Sequence, residues 1–513
     1  MLNNYGNTKE PDILEVISDL SNDEVFTPPS LAKQMLDLLP AEVWTSSSLR
    51  WIDPFTKTGV FLREITKRLL VGLKEEIPDE QERLEHILQK MVFGVAITEL
   101  TSLMSRRSLY CSKWADSQKS VVKFSNKQGN LIYQRVEHEF FRGRCSECLA
   151  SEAKHGAEIQ TENYAYSLLH QEGRRFIEKE IGLKFDVVVG NPPYQMEADE
   201  AGQNVNAIYN LFVEQAMLLH PSFICMITPS RWMAGGKGLD HFRQRMLQDK
   251  RITKIVDYPR AAEVFPGVGE NIKGGVSYFL WEEGASADCE YVQIRNGEVT
   301  TKAFRNLAEF DIFVRETALL PLVRRVIARA DFEPFSTLVS TRDPFGPDLS
   351  SNFKSYKEES DNPNSDLILH LNVSNKRTTK FVDKKYVTRN LHLVNQWKLL
   401  LPKAYGAGEE IPHQIIGQPI IAGPGEVCTL SYLVCGPFGS KAQAESALSF
   451  LKTKTARILI SVRKISQNTT QSVYNWLPIL PFDREFTDQT LKRLFEITSE
   501  ESKLIDKYIK EMD

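Results

Sequence analysis

The segment FDVVVGNPPYQ (185–195) runs from an apolar strand pattern into four residues that could do chemistry: Asn191, Pro192, Pro193 and Tyr194. The Asn191 side chain and the Pro192 main chain each offer a carbonyl acceptor, and consecutive prolines restrict φ. Acceptors that take protons from a conjugated amine raise the electron density on its nitrogen. Tyr194 adds a flat face on which an extruded base can stack. These residues predict a clamp for a planar amine or amide.

Two further strand ends carry polar residues that are expected at the same edge of a sheet. Asp53, Pro54 and Phe55 end one strand pattern and lead to Gly59, whereas Glu99 ends the next one. Glycine lets a loop pass close to a ligand, and a carboxylate can accept hydrogen bonds from ribose hydroxyls. Because the loop is neither GxGxxG nor a Walker A sequence, NAD and ATP are disfavoured. The pattern predicts a nucleoside cofactor held without a phosphate grip.

Apolar strand patterns alternate with amphipathic helix patterns up to about residue 310. This rhythm predicts an α/β fold with a mainly parallel sheet covered on both faces. A short strand, a loop holding Gly59 and a helix are predicted within 48–73. The further predicted strands lie in 91–100, 184–190, 222–229, 252–258 and 274–283, and the further helices lie in 80–90, 101–110, 209–220 and 239–249. Beyond that point the rhythm breaks, which indicates a second domain.

Five motifs together resemble the γ-class N6-adenine DNA methyltransferases of Type II restriction-modification systems. They are FTPP (26–29), DPFTKTGVF (53–61), GVAITE (94–99), GNPPYQ (190–195) and IKGGVSYFLW (272–281). Their order is that of the γ class, and further similar segments extend the resemblance over nearly the whole chain.

The resemblance implies a Rossmann-like S-adenosylmethionine-dependent methyltransferase domain over 1–310. It also implies an α+β target-recognition domain over 311–485 that binds double-stranded DNA, followed by a helical tail over 486–513. Scattered basic residues in this second region are candidates for phosphate contacts, with solvated surface charge as the alternative. They are Lys376, Arg377, Lys380, Arg463 and Lys464.

The family also implies roles for individual residues. S-adenosylmethionine would be bound by Phe26, Thr27, Pro28, Asp53, Pro54, Phe55, Gly59 and Glu99. A flipped adenine would lie at Asn191, Pro192, Pro193 and Tyr194 and would receive the methyl group directly on N6, without a covalent enzyme intermediate. Glu99 could instead serve only to cap the following helix.

An insertion over 105–165 contains the spacing of a zinc knuckle. The two thiols of Cys145-x2-Cys148 lie on one tight turn, and Cys111 and His138 would complete a structural Zn²⁺ site. His155 or His170 could replace His138. A redox-active or incidental CxxC pair is the alternative interpretation.

Other functions remain open at this point. A protein-glutamine N5-methyltransferase could use the same clamp, because a glutamine amide resembles adenine N6, although the long region after residue 310 argues against it. A DNA-recognition subunit without turnover is a third hypothesis, and the intact Asn191–Tyr194 segment opposes it. About 25 residues precede FTPP, and the chain has no PD…(D/E)xK arrangement in a strand context. DNA cleavage is therefore expected to require a separate restriction endonuclease or defence-system subunit.

Composition sets the broad class. A chain of 513 residues with 42% hydrophobic content is expected to fold into two or more globular domains, and the net charge of −4 neither indicates nor excludes a nucleic-acid partner. Seven scattered cysteines do not suggest a disulfide scaffold. Because no apolar run approaches the roughly 20 residues that span a bilayer, and no signal peptide is recognisable, a soluble cytoplasmic protein is expected.

Overall fold

The computed structural model describes residues 25–152, 166–197, 205–236, 238–267, 269–350, 353–373, 376–406, 411–464 and 467–512. The chain divides into two compact units. The first contains Met1–Trp232 and Gly236–Phe313, and the second contains Met233–Gly235 and Val314–Asp513.

The first unit is built on a nine-stranded sheet with the order β13-β12-β10-β11-β9-β6-β1-β2-β3. Within the described residues, all its strands run parallel except β11 and β13, which are antiparallel to their neighbours. The strands are β1 (Trp51–Thr56), β2 (Val92–Ala96), β3 (Leu131–Ile132), β6 (Val187–Gly190), β9 (Phe223–Pro229), β10 (Ile252–Tyr258), β11 (Val276–Glu282), β12 (Cys289–Arg295) and β13 (Glu298–Arg305). The sequence-predicted α/β class is thus confirmed.

Helices and two short hairpins complete this unit. The helices are α1 (Pro29–Leu36), α2 (Val60–Gly72), α3 (Glu80–His86), α4 (Glu99–Tyr110), α5 (Gln171–Ile181), α6 (Tyr209–Leu218) and α7 (Asp240–Gln248). The hairpins pair β4 (Phe140–Phe141) with β5 (Arg144–Cys145), and β7 (Gln195–Glu197) with β8 (Val205–Ala207).

Local sequence explains where the elements begin and what they bury. All six residues of β1 are buried, Asp53 and Thr56 included, as expected for a parallel strand with both faces covered. Helix α1 begins at Pro29, because a proline in the first turn needs no hydrogen bond from its nitrogen. Helix α4 is capped by Thr98, whose hydroxyl accepts a hydrogen bond from the Thr101 amide.

The sheet is wider than the sequence analysis expected. Strand β11 does not close the series, because β12 and β13 form a hairpin that extends one edge, and β3 extends the other edge beside β2. Asn296 and Gly297 both have positive φ at the turn between β12 and β13. This Asn-Gly pair is a strong sequence signal for a two-residue hairpin turn.

The strand order reverses direction between β1 and β6. Strand β2, which follows β1 in the sequence, lies beside β1 on one side of the β1–β6 pair. Strand β9, which follows β6, lies beside β6 on the opposite side. The paired register of β1 and β6 ends at Ile52 and Val188, so Asp53 is the first residue of β1 beyond that pairing. In open α/β sheets ligands bind at such a reversal, beyond the carboxyl ends of the strands.

The second unit contains two three-stranded sheets, with the orders β15-β14-β18 and β17-β16-β19. The strands are β14 (Asp366–Val373), β15 (Lys376–Asp383), β16 (Trp397–Pro402), β17 (Ile420–Ala422), β18 (Glu426–Cys428) and β19 (Tyr432–Phe438). The helices are α8 (Leu320–Ile327), α9 (Leu391–Val394), α10 (Lys441–Lys452), α11 (Lys454–Arg463), α12 (Asp488–Leu494) and α13 (Ser499–Tyr508).

The C-terminal helices are integrated into this second unit rather than forming a separate tail. Glu501 on α13 forms an ion pair with Arg325 on α8, and Arg457 on α11 donates to the carbonyl of Lys510 at 2.6 Å. The sequence predicted the helices but not this packing, because the contacting segments are far apart in the chain. In the part of the chain that is described, no helix has the length and apolar character to cross a bilayer.

Candidate functional site

Asn191 lies directly after β6 and is 4% exposed. Its side-chain Nδ2 donates to the Val25 carbonyl at 3.0 Å and to Thr27 Oγ1 at 3.1 Å. A main-chain carbonyl can only accept, so the atom facing Val25 must be the NH₂ group. The segment before α1 therefore fixes which way the Asn191 amide points.

The Asn191 Oδ1 atom is buried and has no hydrogen-bond partner among the described residues. A buried acceptor without a partner costs free energy, and in native proteins it calls for a specific explanation. Here both amide protons of the same side chain are engaged, which leaves Oδ1 as a fixed acceptor. The arrangement can accept a hydrogen bond from an amine or amide N–H.

Asp53 lies beside the end of β6. A Cβ atom added at Gly190 would lie 3.0 Å from Asp53 Oδ1 and 2.7 Å from Phe55 Cδ2, so only glycine fits this close approach. Burial raises the pKa of Asp53 to about 7, although Oδ1 accepts a hydrogen bond from the Phe55 amide at 3.0 Å and Lys57 lies nearby. A cationic group bound beside Asp53 would favour the carboxylate form.

Lys57 and the Val25 carbonyl are parts of this site that sequence reasoning missed. Lys57 is 7% exposed, and its Nζ donates to the Val25 carbonyl at 2.9 Å, the same oxygen that receives Asn191 Nδ2. Lys57 lies inside the DPFTKTGVF motif, so its place in the sequence did indicate that it could lie near the site. The Val25 carbonyl left no signal, because main-chain atoms carry no residue identity.

Pro192 and Pro193 are buried, and the chain continues through Tyr194 into β7. The Tyr194 carbonyl accepts a hydrogen bond from the Ile208 amide at 3.2 Å, which ties the turn to the residue before α6. Burial raises the pKa of the Tyr194 hydroxyl well above its ordinary value, while the neighbouring Asn191 side chain opposes that shift. Tyr194 is therefore a neutral phenol with an aromatic face at the end of β6.

The other predicted cofactor residues differ in burial. Thr27, Pro28, Pro54, Phe55 and Gly59 are buried, and Phe26 is partly exposed. Phe55 packs edge-on against Phe212 of α6 at 5.0 Å between ring centroids, so its ring belongs to the core.

Gly59 and Glu99 both lie at the starts of helices after their strands. Gly59 precedes α2 with φ +79°, a conformation that favours glycine, and a Cβ there would be 3.1 Å from Ser105 Cα. Strand β2 ends at Ala96 rather than at Glu99, which is exposed in the first turn of α4. A carboxylate in a first helical turn also interacts favourably with the helix dipole.

The insertion brings together four side chains with metal-ligating atoms. One such atom from each of His138, Cys145, Cys148 and His170 lies within 4.8 Å of the others. Burial raises the pKa of the Cys148 thiol to about 12, with Cys145 contributing, and burial lowers the pKa of His170.

This geometry corrects the predicted ligand set. Cys111 ends α4 with φ 59°, is exposed and is not part of the cluster, whereas His170, 25 residues beyond Cys145, is. His138 keeps its predicted place, so His170 substitutes for Cys111 rather than for His138. The alternative ligand His155 lies outside the described residues.

The predicted phosphate-contacting residues also separate into two groups. Lys376 and Arg377 on β15 are exposed, and Lys380 is partly buried in an ion pair with Glu358. Arg463 and Lys464, in contrast, are buried.

Arg463 and Lys464 make contacts in the interior of the second unit. Arg463 stacks over Trp476 and donates to the Ser472 carbonyl, and Lys464 Nζ donates to the carbonyls of Tyr405 and Gly406 at 2.9 and 2.6 Å. Their assignment to DNA phosphates is corrected. Sequence alone could not distinguish them, because burial depends on how α11 packs.

The fold and this site define an α/β protein whose candidate site lies where the strand order of a largely parallel sheet reverses. Residues 90–265 match the family model of the Eco57I restriction-modification methylase. Over 296 residues the chain is 36% identical to a protein of Mycoplasma pneumoniae described as an uncharacterized adenine-specific methylase, and the match covers 53% of this chain and 70% of that protein. The chain belongs to the adenine-specific methylase family of restriction-modification systems.

Two solved structures align with the chain at low sequence identity. The nuclease-deletion mutant of the Type ISP restriction-modification enzyme LlaGI, solved with a DNA substrate mimic, aligns with a TM-score of 0.50 and 11% identity, over 87% of this chain and 45% of that one. A modification subunit of a putative type I restriction enzyme from Vibrio vulnificus aligns with a TM-score of 0.34 and 17% identity, over 57% of this chain and 53% of that one. The chain thus spans about half the length of these two proteins.

Proposed function

We propose that this chain is an S-adenosylmethionine-dependent DNA methyltransferase that modifies the N6 amine of an adenine flipped out of double-stranded DNA. The observation that carries the proposal is the Asn191 amide, held by Val25 and Thr27 so that Oδ1 is a buried acceptor with no partner among the described residues. Adenine N6 is a planar amine with two protons, so it is the complementary donor.

The chain's own residues account for the activation of the amine. Asn191 Oδ1 would accept a hydrogen bond from one N6–H and the Pro192 carbonyl would accept one from the other, which raises electron density on the nitrogen without forming a covalent enzyme intermediate. One N6 proton is released to water as the methyl group is added. The acceptors are fixed before the base arrives, so they cost little reorganisation during the reaction. Tyr194 offers its ring for stacking, and stacking compensates for part of the free energy lost when the base leaves the duplex.

The residues of the first unit fit S-adenosylmethionine. When bound, this cofactor supplies an electrophilic methyl group on a sulfonium. Asp53, a buried carboxylate at the end of the β1–β6 pairing, has the charge to hold the methionine ammonium group. The same Rossmann-like crevice would be lined by Phe26, Thr27, Pro28 and the loop from β1 through Gly59. Glu99 would accept hydrogen bonds from the ribose hydroxyls.

The second unit would serve as the target-recognition domain. Its exposed strand β15 carries Lys376 and Arg377, which would contact DNA phosphates while other side chains read bases. The chain would act as the modification component of a restriction-modification or phage-defence system, with DNA cleavage assigned to a separate restriction endonuclease or defence-system subunit.

Long-read sequencing that detects methylated bases tests the proposal in cells expressing the intact chain or the Asn191→Ala variant. We expect adenine N6 methylation within a defined sequence motif that disappears in the variant. Identical methylomes, with both proteins soluble and equally abundant, would contradict the proposal. Labelled methyl transfer to protein but not to DNA would instead identify a glutamine methyltransferase.

A further inference from the structure

The β4–β5 hairpin presents two thiols from one tight turn. Cys145 ends β5, and Cys148 follows three residues later. The Leu149 amide donates to the Cys145 carbonyl at 3.1 Å, and the Cys145 amide donates to the Ala150 carbonyl at 2.8 Å. These main-chain hydrogen bonds close the turn and hold the two cysteines on it, as a shared metal ion requires.

His170 approaches the hairpin with a defined tautomer. Its Nδ1 lies 2.9 Å from the Tyr166 carbonyl, which can only accept, so Nδ1 carries a proton. In a neutral ring, Nε2 is then the unprotonated atom, and it faces Cys145 Sγ at 3.4 Å. A histidine that ligates a metal commonly donates its second ring N–H to a carbonyl in this way.

Two sulfur–nitrogen distances match those of a tetrahedral site. His138 Nδ1 lies 3.4 Å from Cys148 Sγ, and His170 Nε2 lies at the same distance from Cys145 Sγ. Around tetrahedral zinc, with Zn–S and Zn–N bonds of about 2.3 and 2.1 Å, a sulfur and a nitrogen ligand are about 3.6 Å apart. The two imidazole rings are steeply inclined, at 74°, and therefore approach from different directions.

A second contact joins the hairpin to the same place in the fold. Glu147, between the two cysteines, accepts hydrogen bonds from the Gln171 amide at 2.9 and 3.1 Å and so caps α5. Helix α5 precedes β6, and Asn191 directly follows that strand. The cluster thus lies where the insertion meets the helix that precedes the candidate catalytic strand.

We propose that His138, Cys145, Cys148 and His170 bind one zinc ion, which fastens the β4–β5 hairpin to the start of α5. Two thiolates and two imidazoles in a tetrahedron favour zinc over hard cations such as Mg²⁺ or Ca²⁺. With four protein ligands the ion keeps no open position, so its role is structural. This site stands independently of the proposed methyl transfer, because none of its four ligands belongs to the Asn191 site.

Metal analysis of the purified full chain, without chelators, tests the ligand set. We expect one zinc per chain in the wild type and in Cys111→Ser, because Cys111 is exposed and outside the cluster. Cys145→Ser and His170→Ala should each lose most of the zinc, whereas His170→Cys should retain it by supplying a thiolate. A metal-free wild type, or loss of zinc in Cys111→Ser but not in His170→Ala, would overturn the assignment.

A second measurement does not depend on whether the variants fold. Zinc is removed from the wild type and Co²⁺ is added, and the expected result is the visible absorption of tetrahedral cobalt with thiolate ligands. Hydrogen exchange over 138–150 and 166–181 should be faster without metal and should slow again when zinc is restored, because the ion restrains both segments. Absence of the cobalt spectrum together with unchanged exchange would refute the site.

Discussion

At the scale of single residues, the contact between Asn191 and Thr27 accounts for the orientation of the Asn191 amide. Thr27 Oγ1 accepts one of the two Asn191 amide protons, and the two residues are 164 positions apart in the chain. Thr27 therefore helps to set the orientation of the Asn191 amide. Losing this contact would let the amide rotate, so Oδ1 would spend less time in the accepting orientation.

The first prediction concerns Thr27→Val, which keeps the shape of the side chain but removes the hydroxyl. We expect kcat for DNA methylation to fall by about tenfold, the equivalent of one hydrogen bond of roughly 1.4 kcal/mol, with a smaller change in KM for DNA. Single-turnover methylation assays measure this. Thr27→Ser keeps the acceptor and should retain nearly full kcat, and equal losses in both variants would contradict a positioning role.

The second prediction concerns Asp53, whose pKa burial raises from 3.8 to about 7. Because the folded state holds this proton more tightly than the unfolded state, ionisation of Asp53 lowers the free energy of unfolding as pH rises from about 4 to about 7. Asp53→Asn removes this loss, so without cofactor the variant should melt at a higher temperature than the wild type at about pH 8.

Cofactor binding should show the opposite dependence on pH. The methionine ammonium group favours ionised Asp53, so S-adenosylmethionine should bind the wild type more weakly, with proton release, as pH falls below about 7. The Asp53→Asn variant should bind S-adenosylmethionine about 10- to 100-fold more weakly, because a charge-assisted hydrogen bond is lost. Calorimetry in buffers of different ionisation enthalpy measures both effects, and unchanged affinity in Asp53→Asn would rule out this role.

At the scale of elements, strand ends and helix starts position the site. Strand β6 delivers Asn191, β1 delivers Asp53, and the segment before α1 supplies the acceptors for the Asn191 amide. Short apolar runs between amphipathic helix patterns are sufficient to predict β6 and β1. The extended β12–β13 edge required recognition of the Asn296-Gly297 turn, and the position of Glu99 inside α4 rather than on β2 followed from the Thr98 cap.

The third prediction tests that cap. Thr98→Ala removes the hydroxyl that accepts from the Thr101 amide at 3.1 Å, and we expect the free energy of unfolding to fall by about 1 kcal/mol. Urea denaturation at equilibrium measures the change. Thr98→Ser keeps the capping oxygen and serves as the matched control, so a similar loss in both variants would show that the cap is not the cause.

At the scale of the whole molecule, the two units have separate hydrophobic cores and separate proposed tasks. Residues such as Trp51, Val187 and Leu280 belong to the core of the first unit, and Leu369, Leu400 and Val434 belong to a core of the second. Basic residues in the second unit divide between its interior and its surface. Buried Lys464 satisfies main-chain carbonyls, whereas Lys376 and Arg377 lie exposed on β15.

The fourth prediction follows from that division. Lys376→Ala and Arg377→Ala should each weaken DNA binding and reduce the slope of log affinity against log salt by about 1, because each removes one phosphate contact. Fluorescence anisotropy over a salt series measures this. Lys441→Ala, an exposed lysine of the same unit paired with Glu445, is the matched control. Equal slopes in all three variants would show that β15 does not contact phosphates.

The sequence by itself determined the α/β class, the strand-end residues and the CxxC pair, because these follow from local periodicity and from residue types at short spacing. Only the tertiary structure decided that Thr27 and Val25 orient Asn191, that His170 rather than Cys111 joins the cysteines, and that Lys464 is buried. Each of these facts depends on segments distant in the chain meeting in space. Their contacts are set by sheet register, helix packing and burial, for which a single sequence carries no local signal.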